Sequence, residues 1–262
     1  MSVIDLSGPE YPVGAPCWVD LLVGDVPRAQ AFYSAVFGWQ WRAGDDQTGG
    51  YQLALHDGHP VAGISHRPDH AAAPSQWTTY LRVDDIEALL PTVTAFGGQT
   101  LGRPVSLGGL ARTMVARDPG GTFFGLWQPG SLGGSGLLDS PGALAWNELL
   151  TRSYDDVRAF QSAVLGHTFD DQSHEGEPRW SVARTSDGNP AYGLAEIGEE
   201  WPTEISSHWV VSFATQNVVP SVAAALDHGA TLLQGPFEGP FGLSAVLSGL
   251  EGEIFSVLVP ED

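Results

Sequence analysis

The stretch Trp18–Trp39 (WVDLLVGDVPRAQAFYSAVFGW) contains the grammar from which the whole chain is built. It continues the short apolar run Cys17–Val23 (CWVDLLV), which has the length and composition of a buried strand. Asp25 can cap a helix by accepting from a first-turn amide, and Pro27 suits that first turn because its fixed φ is already helical. Phe32, Val36 and Phe37 then fall on one helical face. Gly38 ends the helix, since glycine enters the left-handed conformation without a steric penalty. The stretch predicts a strand, a capped amphipathic helix and a sharp exit.

Three later segments repeat this order. The second runs from Trp77–Val83 (WTTYLRV) through Asp84 and Asp85 to Ile86, Leu89, Leu90, Val93 and Phe96, and closes on Gly97-Gly98. The third runs from Ala145–Leu150 (AWNELL) to a helix bearing Val157, Phe160, Val164 and Leu165, closed by Gly166. The fourth runs from Trp209–Phe213 (WVVSF) through Asn217, Val218, Val222 and Leu226 to Gly229. Trp18 and Trp146 stand 128 residues apart, as do Phe32 and Phe160; Trp77 and Trp209, like Gly97 and Gly229, stand 132 apart. A period near 130 means a duplicated domain with a finer repeat inside each copy. The expected fold class is α+β: two tandem domains, each of two β-α-β-β-β modules. Their expected bounds are residues 12–130 (modules 12–70 and 75–130) and 140–262 (modules 140–200 and 206–262). The Gly/Ser-rich stretch 131–139 between them reads as a flexible linker.

Composition limits the partners. Of the 262 residues, 31 are acidic and 11 basic, a formal net charge of −20. Such a surface repels nucleic acid and anionic membrane, whose recognition needs clustered cations. No apolar run is long enough to span a bilayer, and a lone cysteine, Cys17, forms no internal disulfide. A cytoplasmic protein, monomer or homodimer, is expected.

The segment Trp18–Trp39, with its Asp cap, Phe32-Tyr33 and Phe37-Gly38-Trp39, resembles the vicinal oxygen chelate superfamily, which includes glyoxalase I, bleomycin-resistance proteins and extradiol dioxygenases. The turn Asp118-Pro119-Gly120-Gly121 and the strand Thr122–Gln128 (TFFGLWQ) are similar to the closing hairpin of such a module. In the second domain Gly249–Gly252 (GLEG) replaces that turn. The resemblance implies that paired modules form a cup-shaped mixed sheet with flanking helices, one cup per domain. In metal-binding members the ligands come from the first and last strands of each module. Alignment by the helix caps places those positions on Trp18, Gly63, Thr78 and Gly125 in the first domain, and on Trp146, Gly193, Val210 and Ser256 in the second. None is a carboxylate or imidazole, whereas a divalent ion needs at least three donors at roughly 2.0–2.6 Å. A two-residue shift would keep the same face and bring in Asp20 and Glu148, still one carboxylate per cup. No metal and no cofactor is expected.

Strand alternation assigns what faces each cup instead. Trp18, Asp20, Thr78, Tyr80, Arg82, Phe123 and Trp127 face the first; Trp146, Glu148, His208 and Ser212 face the second. Aromatic walls with a few polar handles suit a flat, partly hydrophobic small molecule. The resemblance to the bleomycin-resistance branch implies a place in secondary metabolism or resistance. The same aromatics would serve equally to plug a core. A carboxylate buried beneath an indole has a raised pKa and can act as general acid or base. Two readings therefore stand: a metal-free binding protein for an aromatic ligand, its acidic surface attracting a cationic one, or a metal-independent enzyme acting through Asp20 or Glu148.

Overall fold

The computed structural model describes residues 4–45, 48–67 and 74–260. The module ends placed at residues 70 and 262 lie outside the described residues. The first domain runs β1 (Pro16–Val23), α1 (Val26–Phe37), β2 (Gln40–Arg42), β3 (Gln52–His56), β4 (His59–His66), β5 (Gln76–Arg82), α2 (Ile86–Ala95), β6 (Gln99–Leu107), β7 (Ala111–Arg117) and β8 (Phe123–Pro129). The second repeats the order as β9 (Leu144–Thr151), α3 (Tyr154–Leu165), β10 (Thr168–Asp171), β11 (Trp180–Arg184), β12 (Pro190–Glu196), β13 (His208–Ala214), α4 (Val218–Asp227), β14 (Thr231–Gly239), β15 (Gly242–Ser248) and β16 (Ile254–Pro260).

Local chemistry sets the element ends. Asp25 accepts from the Arg28 amide at 3.0 Å, and Gly38 leaves α1 at φ 72°. Asp85 and Asn217 cap α2 and α4 in the same way. The strands then form two eight-stranded sheets of identical topology, β2-β3-β4-β1-β5-β8-β7-β6 and β10-β11-β12-β9-β13-β16-β15-β14. At each centre the first strands of two modules pair antiparallel, and each pairs parallel with its own module's last strand. The two-domain α+β architecture read from the 128- and 132-residue spacings is the one observed.

The duplicated halves share their core. Val19, Leu21, Phe32 and Tyr33 lie in one apolar cluster with Val211, Phe213, Phe255 and Val257 of the other domain. Helix α1 packs on α4 and α2 on α3. Equivalent residues make reciprocal contacts, as across a two-fold dimer. Trp39 Nε1 donates to the Gly142 carbonyl at 2.7 Å, and His167 Nε2 meets the Gly14 carbonyl at 3.0 Å. Burial presses the His167 imidazole down to about 4, so it is neutral at pH 7.

The segment expected to be a flexible linker is packed instead. Leu132 and Ser135 are buried, the Ser135 amide donates to the Cys17 carbonyl at 2.7 Å, and the Gly136 amide donates to the Pro60 carbonyl at 2.7 Å. Its glycines permit this close approach: a Cβ on Gly134 would lie 2.6 Å from the Cys17 carbonyl oxygen. Composition signalled freedom, but the small residues serve contact. Among the described residues no helix is long and apolar enough to cross a membrane.

Candidate functional site

On β1, Val19, Leu21 and Val23 enter the core, while Trp18, Asp20 and Leu22 point to the other side, the cup face. Trp18 is wholly buried there, stacked on Trp127 with ring centroids 5.3 Å apart. Tyr80 meets Trp127 edge-on at 5.8 Å. Ile4, Leu6, Tyr11 and Leu132 pack over these rings. Trp18 Nε1 donates to the Tyr51 hydroxyl at 2.7 Å, and the Tyr51 and Tyr80 hydroxyls both donate to Asp20 Oδ2, at 3.2 and 2.9 Å. Gly63 makes room for the Tyr51 hydroxyl and Gly125 for the Tyr80 ring, since a Cβ at either would collide with them. Burial lifts the Asp20 carboxyl to about 7, against the opposing pull of its two phenol partners.

The other residues assigned to this cup stand apart from that cluster. Thr78 is buried in register with Asp20. Phe123 is half-buried beneath the Arg117 guanidinium, 5.7 Å away. Arg82 turns to Asp84, at 2.7 Å, and lines a cleft of about 430 Å³ with Leu6, Glu10, Tyr11 and Gly134.

The second cup repeats the carboxylate and changes what surrounds it. Glu148 Oε2 accepts from Trp146 Nε1 at 3.2 Å, and Oε1 from Trp180 Nε1 at 2.6 Å. Burial raises the Glu148 carboxyl, and the two indole bonds oppose that rise. Phe241, on the turn between β14 and β15, lies over Trp146 at 4.2 Å between centroids and beside Trp180 at 5.9 Å. Tyr80 pairs with Gly125 as Ser212 pairs with Ser256. Ser212 therefore stands where the first cup has Tyr80, and Leu258 where it has Trp127. A cleft of about 490 Å³ opens at this end, on Trp146, Phe241, Ala191 and Leu258, with Tyr11 and Asp139 opposite. Asp139 and Glu10 are the charged residues that line it. His208 lies farther along the cup, opposite Leu150, with Nδ1 2.8 Å from the Ser206 carbonyl; burial lowers its imidazole.

A model of the Glyoxalase/Bleomycin resistance protein/Dioxygenase superfamily matches residues 17–126. The CFP32 protein of Mycobacterium tuberculosis, provisionally named a glyoxylase, is 35% identical over 96% of this chain and 97% of its own. The anthracycline biosynthesis protein DnrV of Streptomyces peucetius is 33% identical over 95% of this chain and 94% of its own. The chain belongs to the glyoxalase/bleomycin resistance/dioxygenase superfamily. Among solved structures, the 2,3-dioxygenase LapB of Pseudomonas sp. KL28 aligns with a TM-score of 0.68 at 18% identity, covering 96% of this chain and 94% of its own. The Mn(II)-bound glyoxalase of Novosphingobium aromaticivorans aligns at 0.66 and 17%, covering 95% and 82%. At such identities the likeness is one of fold.

The metal carried by some superfamily members does not fit the donors found here. The register sets Gly63 beside Asp20 and Gly193 beside Glu148, so the glycine rows lie two residues along from Trp18 and Trp146. Either row contributes one carboxylate per cup. Both carboxylates already accept from phenols or indoles. Among the described residues no three His, Cys, Asp or Glu side chains converge.

Sequence reasoning missed three residues of these superfamily cups: Tyr51, Trp180 and Phe241. Tyr51 and Trp180 carried a usable signal, since they stand 129 residues apart, within the repeat period. Phe241 had none, because it sits on a turn, outside the strand pattern.

Proposed function

We propose that this chain binds a flat, partly hydrophobic small molecule at the mouth of its second cup, against Trp146 and Phe241. The observation that carries this reading is the asymmetry of the cups. Tyr80 and Trp127 fill the first, whereas a cleft of about 490 Å³, lined by Trp146, Phe241 and Leu258, lies beside the second. That volume is in the range of small-molecule sites, and its walls combine the aromatic faces of Tyr11, Trp146 and Phe241 with polar groups at Glu10, Asp139, Asn147 and Asn189. Glu10 and Asp139 line it without a basic residue, which favours a neutral or cationic ligand over an anionic one. The kinship with proteins named for anthracycline biosynthesis supports a flat aromatic ligand in secondary metabolism.

A second reading, metal-independent acid/base catalysis, draws on the raised carboxyls of Glu148 and Asp20. Neither residue lines either cleft, so binding is favoured. Calorimetric titration with planar aromatic amines tests the proposal. The expected result is one site per chain, weakened at least about tenfold by Trp146→Ala, the scale of losing an aromatic stack. Unchanged affinity in that variant would remove the second cup from the reading.

A further inference from the structure

Glu148 does not line the cleft, yet two lining residues lead to it. Trp146 holds its Oε2, and Phe241 covers Trp146 while flanking Trp180, the donor to Oε1. Each carboxylate oxygen takes one indole N–H, which leaves acceptor capacity on both. The indoles fix the carboxylate, and Gly193 beneath it leaves no room for even a methyl group, so the acceptor is preorganised.

Phe241 differs from its aromatic neighbours in how it is held. Trp146 and Trp180 belong to strands with ladder partners on both sides. Phe241 is carried on the short Gly239–Gly242 connection, with a glycine at each end and Gly242 at φ 116°. Its ring lies on the indole face that a flat ligand in the cleft would itself seek. In the first cup the ring over the Trp18 indole comes from Trp127, on a central strand, and is not displaceable in this sense.

We propose that the Trp146 face beneath Phe241, together with Glu148, is a concealed subsite for an aromatic ring bearing a hydrogen-bond donor, such as a phenol or an aryl amine. The ligand ring takes the place of Phe241 on Trp146, and its donor reaches the remaining lone pairs of Glu148. This rests on the reading of the cleft as a ligand site, and adds to the polar groups of its rim, Glu10 and Asp139, an acceptor held beneath the stacking face.

The test compares 2-naphthol with 2-methoxynaphthalene, which has the same ring system but no donor, on the full chain by calorimetry. Wild-type protein should prefer the naphthol by about tenfold, the scale of one hydrogen bond to a carboxylate. Phe241→Ala should bind both probes several-fold more tightly, because the covering ring no longer competes. Glu148→Gln should bring the two probes to within about twofold, and circular dichroism of that variant reports its fold. Weaker binding of both probes by Phe241→Ala would make Phe241 a fixed wall and overturn the subsite while leaving the cleft as a site. Equal affinity of wild type for both probes overturns the role of Glu148. Failure of wild type to bind either probe removes the cleft reading and this inference with it.

Discussion

The Tyr33 hydroxyl donates to Glu253 Oε1 across the domain boundary at 3.0 Å. The same hydroxyl accepts from Trp77 Nε1 at 3.1 Å, and Glu253 Oε2 accepts from the Glu251 amide at 2.9 Å. At the reciprocal junction the corresponding residues are Gln161, Trp209 and Thr122. Both ends of the Gln161 amide, Trp209 Nε1 and Thr122 Oγ1 are buried without a protein partner. One junction is closed by a hydrogen-bond chain, the other by apolar packing around polar ends.

Tyr33→Phe should therefore be far costlier than Gln161→Leu. The first change leaves Glu253 Oε1 and the Trp77 N–H without the Tyr33 hydroxyl, and should cost about 2–3 kcal/mol in urea unfolding. The second removes an amide that bonds no protein group and should cost under about 1 kcal/mol. Equal losses would show that the chain contributes nothing beyond packing.

Asp20 makes stability fall as pH rises. In the unfolded chain the carboxyl ionises near 3.8; in the fold it does so at about 7. Between those values the folded protein keeps a proton that the unfolded chain has released, so the cost grows up to about pH 7 and is constant above. Asp20→Asn keeps an acceptor for Tyr51 and Tyr80 and removes that cost. The variant should gain on the order of 2–4 kcal/mol over wild type at pH 8 and lose the advantage near pH 4. Parallel pH profiles for the two proteins would contradict this.

Gly125→Ala places a methyl group inside the Tyr80 ring position, in a cup packed on every side. About 2 kcal/mol should be lost through overpacking, read as a lowered thermal midpoint. The matching change in the second cup, Ser256→Ala, alters a residue beside Ser212, where no large ring stands, and should leave the midpoint within about 2 °C.

Trp127→Leu introduces the residue of the second cup into the first. It removes the ring stacked on Trp18 and should destabilise by less than the ~3–5 kcal/mol of a full truncation to alanine. Trp127→Ala, which leaves the whole ring position empty, should admit indole, with the thermal midpoint rising as indole is added. No rise with indole would mean that the surrounding chain collapses into the space.

Much of this was legible in the sequence, and the reason is periodicity. The spacing of Trp18 to Trp146 and of Trp77 to Trp209 reports backbone repetition, which fixes strand order and the side to which each residue points. Asp20 and Glu148 could be placed on the cup face because alternation is a local property of a strand. Whether a cup is filled depends instead on what packs across it. Trp127 and Leu258 occupy equivalent places and alternate identically, yet one completes a plug and the other borders a cleft. The covering residues Tyr11, Leu132 and Phe241 come from segments with no period, so their contacts were invisible. Arg82 shows the same limit: its strand face was readable, but its choice of Asp84 over Asp20 was not.

The tether between the two copies is also the roof of the first cup, through Leu132 and the bond from Ser135 to Cys17. The copies that began alike have thus divided their labour. A first cup that reopened would loosen its own covalent joint, whereas the far end of the tether, Leu138 and Asp139, only edges the cleft beside the second. Side chains beside the second cup can change without disturbing the joint, and the filled first cup serves as the anchor.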